Sequence, residues 1–186
     1  MVDFTAHTPD SAPDGAREVL EEAEKVYGFI PNLLRVLADS PQAVRAYWAL
    51  GEELNASSLS GLEQQVLMLA VSRVNRCPYC MAAHSLTARL AGMPESDLEA
   101  LRSGASLSDP RLEALRVFAR TVTEERGKVK KEVMEAFLSA GFTKAQVLEV
   151  MLGIAYKTMS NYVNHVVETN LDEQLKKTQW QPPAGS

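Results

Sequence analysis

Two segments of this chain are hard to place anywhere but inside a domain. Leu62, Val66, Leu67, Met68, Leu69, Ala70 and Val71 crowd residues 62–74, and Val147, Leu148, Val150, Met151, Leu152, Ile154 and Ala155 open a run that continues to Val166. Wound at 3.6 residues per turn, each segment is apolar nearly all the way round. A helix of that kind is stable when other elements enclose it. The chain must therefore wrap two central helices, and its 186 residues are enough for one domain with a full core.

The wrapping elements are helices too. Residues 1–12 are polar and aperiodic and are expected to form an extended arm. Over residues 13–27, Ala16, Val19, Leu20, Ala23 and Val26 recur at helical spacing, and Gly28 is a stop signal. A short helix follows over 33–38. Ser40-Pro41 sets a capping serine before a proline at the first helical position, starting a helix over 41–55 that carries Tyr47 and Trp48 as core or interface residues. Ser60-Gly61-Leu62-Glu63 and Thr143-Lys144-Ala145-Gln146 have the form of capping boxes at the heads of the two apolar helices. Pro78, Pro94 and Pro110 start three more, and a charged helix over 130–140 stops at Gly141. No strand or hairpin signal interrupts them. The expectation is all-α: about eight helices in one domain over 13–175, with a flexible tail over 176–186.

Charge and composition narrow the function. A net charge of -5 leaves no basic stripe for a phosphate backbone, so no nucleic-acid partner is expected. No apolar run approaches the roughly 20 residues that span a bilayer, and Met1-Val2-Asp3-Phe4-Thr5 lacks the basic-then-apolar pattern of a signal peptide. A cytoplasmic location without membrane contact follows as the expectation. More apolar surface is offered than one compact monomer covers easily, which predicts a homo-oligomer.

The chemistry concentrates in Cys77-Pro78-Tyr79-Cys80-Met81-Ala82-Ala83-His84. This stretch holds the only two cysteines and one of three histidines. At the start of a helix, Cys77 would face unpaired amides and the positive end of the dipole, which favour thiolate. His84 lies one turn beyond Cys80 on the same face, where it could take or return a proton. The set suits peroxide reduction, in which one thiolate attacks the O–O bond and the other thiol condenses with the sulfenic acid, and it suits disulfide exchange equally. Two bland alternatives stand beside it. The cysteines could be inert buried hydrophobes. With His84 they could be three zinc ligands lacking a fourth, His165 serving only if the last helix passes close by, in a zinc-binding or redox-sensing module without turnover. A thioredoxin fold would need a strand before the motif, and here a buried helix precedes it. His7, on the arm, is expected to be solvated.

The helix–CxxC–xxx–His arrangement resembles the AhpD-like alkylhydroperoxidase family of the carboxymuconolactone decarboxylase superfamily. The resemblance rests on Gln64-Gln65-Val66, Ala70-Val71-Ser72-Arg73-Val74-Asn75 and Cys77-x-x-Cys80-x-x-x-His84, and more loosely on Tyr27-Gly28-Phe29-Ile30-Pro31-Asn32-Leu33 and Lys157-Thr158-Met159-Ser160-Asn161-Tyr162-Val163-Asn164-His165. It implies an all-α fold, thiol-dependent peroxide or disulfide reduction without metal or other cofactor, an external dithiol or lipoyl-type reductant, and a trimer or hexamer. Carried over residue by residue, it implies that Cys80 attacks, Cys77 resolves and His84 relays protons. Dipole reasoning instead favours Cys77 as the more acidic thiol. A carboxymuconolactone decarboxylase-like activity would not use the cysteines. Two positions depart from the family pattern. Gln65 stands where the relay has a glutamate, and an amide holds a hydrogen bond but takes no proton. Glu63 is two residues off, about 200° round the helix, and is claimed by the capping box. Tyr79 stands where a histidine lies between the cysteines, and a phenol of pKa about 10 is a poor base at neutral pH. Gln65, Glu63, Tyr79 and His165 are thus candidate relay or pocket residues.

Overall fold

A computed structural model describes residues 4–183 of the chain. Over them it forms α1 (Arg17–Tyr27), α2 (Asn32–Leu37), α3 (Pro41–Asn55), α4 (Gly61–Val74), α5 (Pro78–Leu90), α6 (Glu95–Ser103), α7 (Pro110–Glu124), α8 (Lys131–Ser139), α9 (Lys144–Val167) and a 3-10 helix (Glu173–Thr178), with no strand among the described residues. The all-α expectation holds, with boundaries within a few residues of those expected. The 3-10 helix is an addition, too short to carry a periodic signal.

α4 is the hub. It packs against α5, α6, α7 and α9, and Val66, Leu67, Leu69 and Val71 have no exposed surface. Both capping boxes form: Glu63 accepts from the Ser60 amide at 2.8 Å, and Gln146 accepts from the Thr143 amide at 2.9 Å. α9 lies close on α4 because Gly153 faces it bare. A Cβ there would stand 2.4 Å from Leu67 Cδ2, tighter than side chains tolerate.

Apolar side chains gather into two clusters. One joins α4 to α6, α7, α8 and α9, with Phe118, Phe137 and Phe142 stacked at its far end. The other joins α1, α2, α3 and the start of α5, and contains Cys77, Tyr79 and Cys80. The cysteines therefore lie where the two meet, against α9. The turn that delivers them is tight. Arg76 takes a left-handed φ of 54°, and the Cys77 amide donates back to Ser72 O at 3.0 Å, so α5 departs sharply from α4.

Both ends are better anchored than expected. His7 is buried, with Nε2 2.9 Å from Asp39 Oδ1 and Nδ1 2.9 Å from Ser11 O. The expectation of a solvated histidine fails because Arg35 grips the arm from the other side, donating to His7 O at 3.0 Å. The tail is also packed as far as the structure describes it. Trp180 is buried and donates to Arg102 O at 3.1 Å. Arg102 in turn donates to Thr178 O and Gln179 O at 3.1 and 3.0 Å. A flexible tail was expected from its prolines and polar residues, which conceal this arginine–tryptophan clasp. Residues 1–3 of the expected arm and 184–186 of the expected tail lie outside the described residues. No single helix among the described residues is long and apolar enough to cross a membrane.

Candidate active site

Cys77 is the N-cap of α5. Its Sγ accepts from the Cys80 amide at 3.4 Å, the role a serine or aspartate commonly fills. Pro78 occupies the first helical position, so no amide is wasted there. Cys80 sits in the first turn with its sulfur turned toward α9. Both thiols are free and buried.

α9 supplies the sulfurs with their surroundings. Asn164 Nδ2 donates to Cys80 Sγ at 3.3 Å and reaches Cys77 Sγ at 3.9 Å. Ser160 Oγ lies 3.7 Å from Cys80 Sγ and donates to Lys157 O at 2.9 Å. Lys157, 2% exposed, holds its ammonium 4.8 Å from the Tyr156 ring centre. These residues are spaced i, i+3 and i+7, so one face of α9 meets both cysteines.

The two thiols differ sharply in acidity. Burial alone would raise Cys80, but a hydrogen bond from Cys77, the Lys157 charge and Ser160 outweigh it and hold the thiol at about 6. Cys77 is pushed the other way, first because its thiol donates to Cys80 and then by burial. Cys80 is thus the thiolate at neutral pH and Cys77 the thiol. The dipole argument that made Cys77 the more acidic is corrected here. The hydrogen between the sulfurs is shared unequally, and Lys157, on a distant part of the chain, was not counted.

Cys80 opens into a cleft of about 570 Å³. Aromatic side chains form much of its wall: Tyr27, Phe29, Tyr47, Trp48 and Tyr156, with Tyr47 and Tyr156 stacked at 4.5 Å. His84 lines the same cleft. Its Nδ1 lies 3.0 Å from Gln65 Oε1, which also accepts from Thr87 Oγ1 at 2.7 Å. Bonded to a carbonyl oxygen, Nδ1 carries the hydrogen and Nε2 is the basic nitrogen. Burial, and then the Lys157 charge, hold the imidazole well below its ordinary range, so it is neutral. A second cleft, of about 290 Å³, lies on the Cys77 side, lined by Cys77, Tyr79, Asn164, His165 and Trp180 among others.

A model of the carboxymuconolactone decarboxylase family matches residues 41–121, which span α3 to α7 and include the whole cysteine stretch. Among solved structures, an alkylhydroperoxidase AhpD core, an uncharacterized peroxidase-related protein from Ralstonia eutropha JMP134, superposes with a TM-score of 0.83 at 24% identity, over 92% of this chain and 93% of that one. Residues 41–121 thus match the carboxymuconolactone decarboxylase family, and the fold of the chain is AhpD-like. A peroxidase-related protein from Silicibacter sp. TM1040 superposes with a TM-score of 0.80 at 24% identity, over 94% of this chain and 92% of that one. The debrominase Bmp8 in complex with 2,3,4-tribromopyrrole does so with a TM-score of 0.81 at 16% identity, over 96% of each chain. No curated protein matches the chain.

Set in this AhpD-like fold, the expected site residues sort clearly. Cys77, Cys80, His84 and Gln65 come together. Tyr79 adjoins both clefts, but its hydroxyl donates to Asp172 Oδ2 at 2.5 Å and accepts from the Leu33 amide at 3.3 Å. It ties α5 to α2 and the C-terminal segment rather than serving a proton path. Glu63 is excluded: its carboxylate caps α4 and pairs with Arg111 at 2.8 Å, away from both clefts. His165 is exposed and lies on the Cys77 cleft, across the motif from His84. Cys77, Cys80 and His84 do not converge as metal ligands, and no group of three or more His, Cys, Asp or Glu among the described residues does. Lys157, Ser160 and Asn164 enter the resemblance only within the loosely matching segment 157–165 and were not singled out as site residues. Their signal was there: a polar stripe at i, i+3, i+7 along an otherwise apolar helix.

Proposed function

We propose that this protein reduces a peroxide-type or disulfide substrate through Cys80 and Cys77. The observation that carries the proposal is the shared environment of the two buried sulfurs, in which Asn164 Nδ2 lies 3.3 Å from Cys80 Sγ and 3.9 Å from Cys77 Sγ. Such an environment stabilises one thiolate and keeps a protonated partner beside it. In the peroxide reaction, Cys80 thiolate attacks the terminal oxygen of ROOH. The O–O bond breaks, Cys80 becomes a sulfenic acid, and RO⁻ departs as the alcohol after taking a proton. Cys77 then attacks the Cys80 sulfur. Its proton leaves with the hydroxide as water, and a disulfide closes. His84, with Nδ1 committed to Gln65, presents Nε2 as an acceptor for the hydroperoxide hydrogen and so orients the O–O bond. An external dithiol then restores the pair, meeting Cys77 from the smaller cleft.

Intact-mass analysis of reduced protein with one equivalent of hydroperoxide tests this. The expected result is a loss of two mass units in the native protein and none in Cys80→Ser. Cys77→Ser is expected to gain sixteen mass units as a trapped sulfenic acid. Unchanged oxidation in Cys80→Ser would refute the assignment. A decarboxylase-like activity would survive loss of both cysteines, and a zinc module would purify with stoichiometric metal under reducing conditions.

The aromatic wall of the Cys80 cleft favours a second reading, reductive dehalogenation of a flat ring. Two thiols and an aryl bromide would give a disulfide, the debrominated ring and hydrogen bromide. Bromide release from 2,3,4-tribromopyrrole, lost in Cys80→Ser, is its test. Assembly belongs to the same proposal: Tyr162 and Val166, 58% and 74% exposed, form an apolar strip on the outer side of α9 suited to a second copy of the chain.

A further inference from the structure

We propose that Lys157 is the catalytic acid that protonates the departing oxygen when Cys80 cleaves a peroxide bond. The inference rests on the thiol-peroxidase reading above. Attack on ROOH by a thiolate expels RO⁻, a poor leaving group that needs a proton as the bond breaks. The usual donor is missing here. His84 has its only hydrogen on Nδ1, bound to Gln65, and its free nitrogen is an acceptor. The hydroxyl of Tyr79 is given to Asp172. Cys77 gives its hydrogen to Cys80 and needs it again to make water in the second step.

Lys157 meets the requirement by position. Its side chain is buried, it lines the same cleft as Cys80 and His84, and it stands one turn before Ser160, which lies beside the Cys80 sulfur. The remaining titratable groups around it are few. α5 presents Tyr79, Cys80 and His84, with Cys77 at its N-cap nearby; α3 presents Tyr47 and Glu52; α1 presents Glu22 and Tyr27; Tyr156 precedes it on α9. α2 and α4 offer the cleft only apolar and amide side chains. The phenols are weaker acids than a lysine in this setting: burial raises Tyr47 and Tyr156, whereas burial lowers Lys157, and only the two cysteines favour its charge.

The balance closes. Cys80-S⁻, Cys77-SH and Lys157-NH₃⁺ with ROOH give the disulfide, Lys157-NH₂, ROH and H₂O. Oxidation removes the thiolate that supported the ammonium, so the lysine gives up its proton at the step that consumes one. Reduction by a dithiol returns both hydrogens, one to Cys77 and one to Lys157.

The test compares two reactions of Cys80 across pH 5–10. Alkylation by iodoacetamide needs the thiolate but expels iodide, which takes no proton. Oxidation by cumene hydroperoxide needs both. In the native protein, oxidation should rise through about pH 6 and fall at high pH as Lys157 deprotonates. Lys157→Arg keeps a positive charge that donates no proton at these pH values. It should alkylate at the native rate, oxidise about 100-fold more slowly, and lose the high-pH fall. Lys157→Met should also shift alkylation to higher pH, and it stands in if the arginine does not fit. Native-rate oxidation in both variants, or equal slowing of both reactions in Lys157→Arg, would overturn the proposal. If the native protein loses no mass with hydroperoxide, the peroxidase reading itself fails; if it does and the variants match it, only the role of Lys157 fails.

Discussion

One amide, that of Asn164, reaches both sulfurs of the motif, and it comes from a helix more than eighty residues away in sequence. Hydrogen bonds to a charged acceptor contribute about 1.5–3 kcal/mol, which at 1.36 kcal/mol per pKa unit is about one to two units. Asn164→Ala should therefore move the thiolate titration of Cys80 up from about 6 by that amount, read from absorbance at 240 nm. The sign follows from the lowered value: thiolate, and with it reactivity, is present above about 6 and lost as pH falls through it. Gln65 carries a prediction of the opposite sense. Its oxygen lies 3.0 Å from His84 Nδ1, so Gln65→Glu sets a carboxylate against the imidazole. The histidine, now held low by burial and Lys157, should rise, visible as a later titration of its Cε1 proton by NMR. Cys77, Cys80 and His84 were legible in the sequence because helical spacing alone brings them together, and Gln65 through the family resemblance. Asn164 and Lys157 were not, because no local rule says which face of a long apolar helix will meet a given turn.

Among elements, the α4–α9 contact decides whether the site exists. Gly153 is the point of closest approach. Gly153→Ala would drive a methyl into Leu67, which has no exposed surface, at a cost of about 1–3 kcal/mol. A lower melting temperature, together with a higher Cys80 pKa as α9 lifts away, is the expected pair of results. A stable variant with unchanged thiol chemistry would show that the contact is slack. The helices themselves could be read closely from sequence, since capping residues, prolines and glycines mark nearly every boundary. Glu63 shows the same logic applied to a site: its capping box was recognised, and that structural role is the one it fills. The 3-10 helix and the left-handed Arg76 before Cys77 escaped notice. Neither leaves a periodic or compositional trace, and arginine is an unusual choice for positive φ.

For the molecule as a whole, the exposed strip on α9 bears on assembly. Tyr162 and Val166 lie one turn apart, and Leu148 near the start of the same helix is 70% exposed. If a second copy covers Tyr162 and Val166, sedimentation should give a trimer or hexamer at micromolar concentration, and Val166→Asp should reduce it toward monomer. A native protein that sediments only as monomer would end that part of the proposal. Sequence reasoning did least well at this scale. The His7–Asp39 contact and the Arg102–Trp180 clasp bind distant segments through single polar contacts, and patterns of hydrophobicity do not register them. The separation of partners also has a consequence in time. The ribosome makes Cys77 and Cys80 long before Lys157, Ser160 and Asn164, with Asn164 84 positions after Cys80. Until α9 is made and docks, the nascent pair lacks the Lys157 charge and the Ser160 and Asn164 side chains that favour the Cys80 thiolate. The last helix to be made completes the environment of the thiolate, so a chain released incomplete carries the motif without the α9 groups that stabilise it.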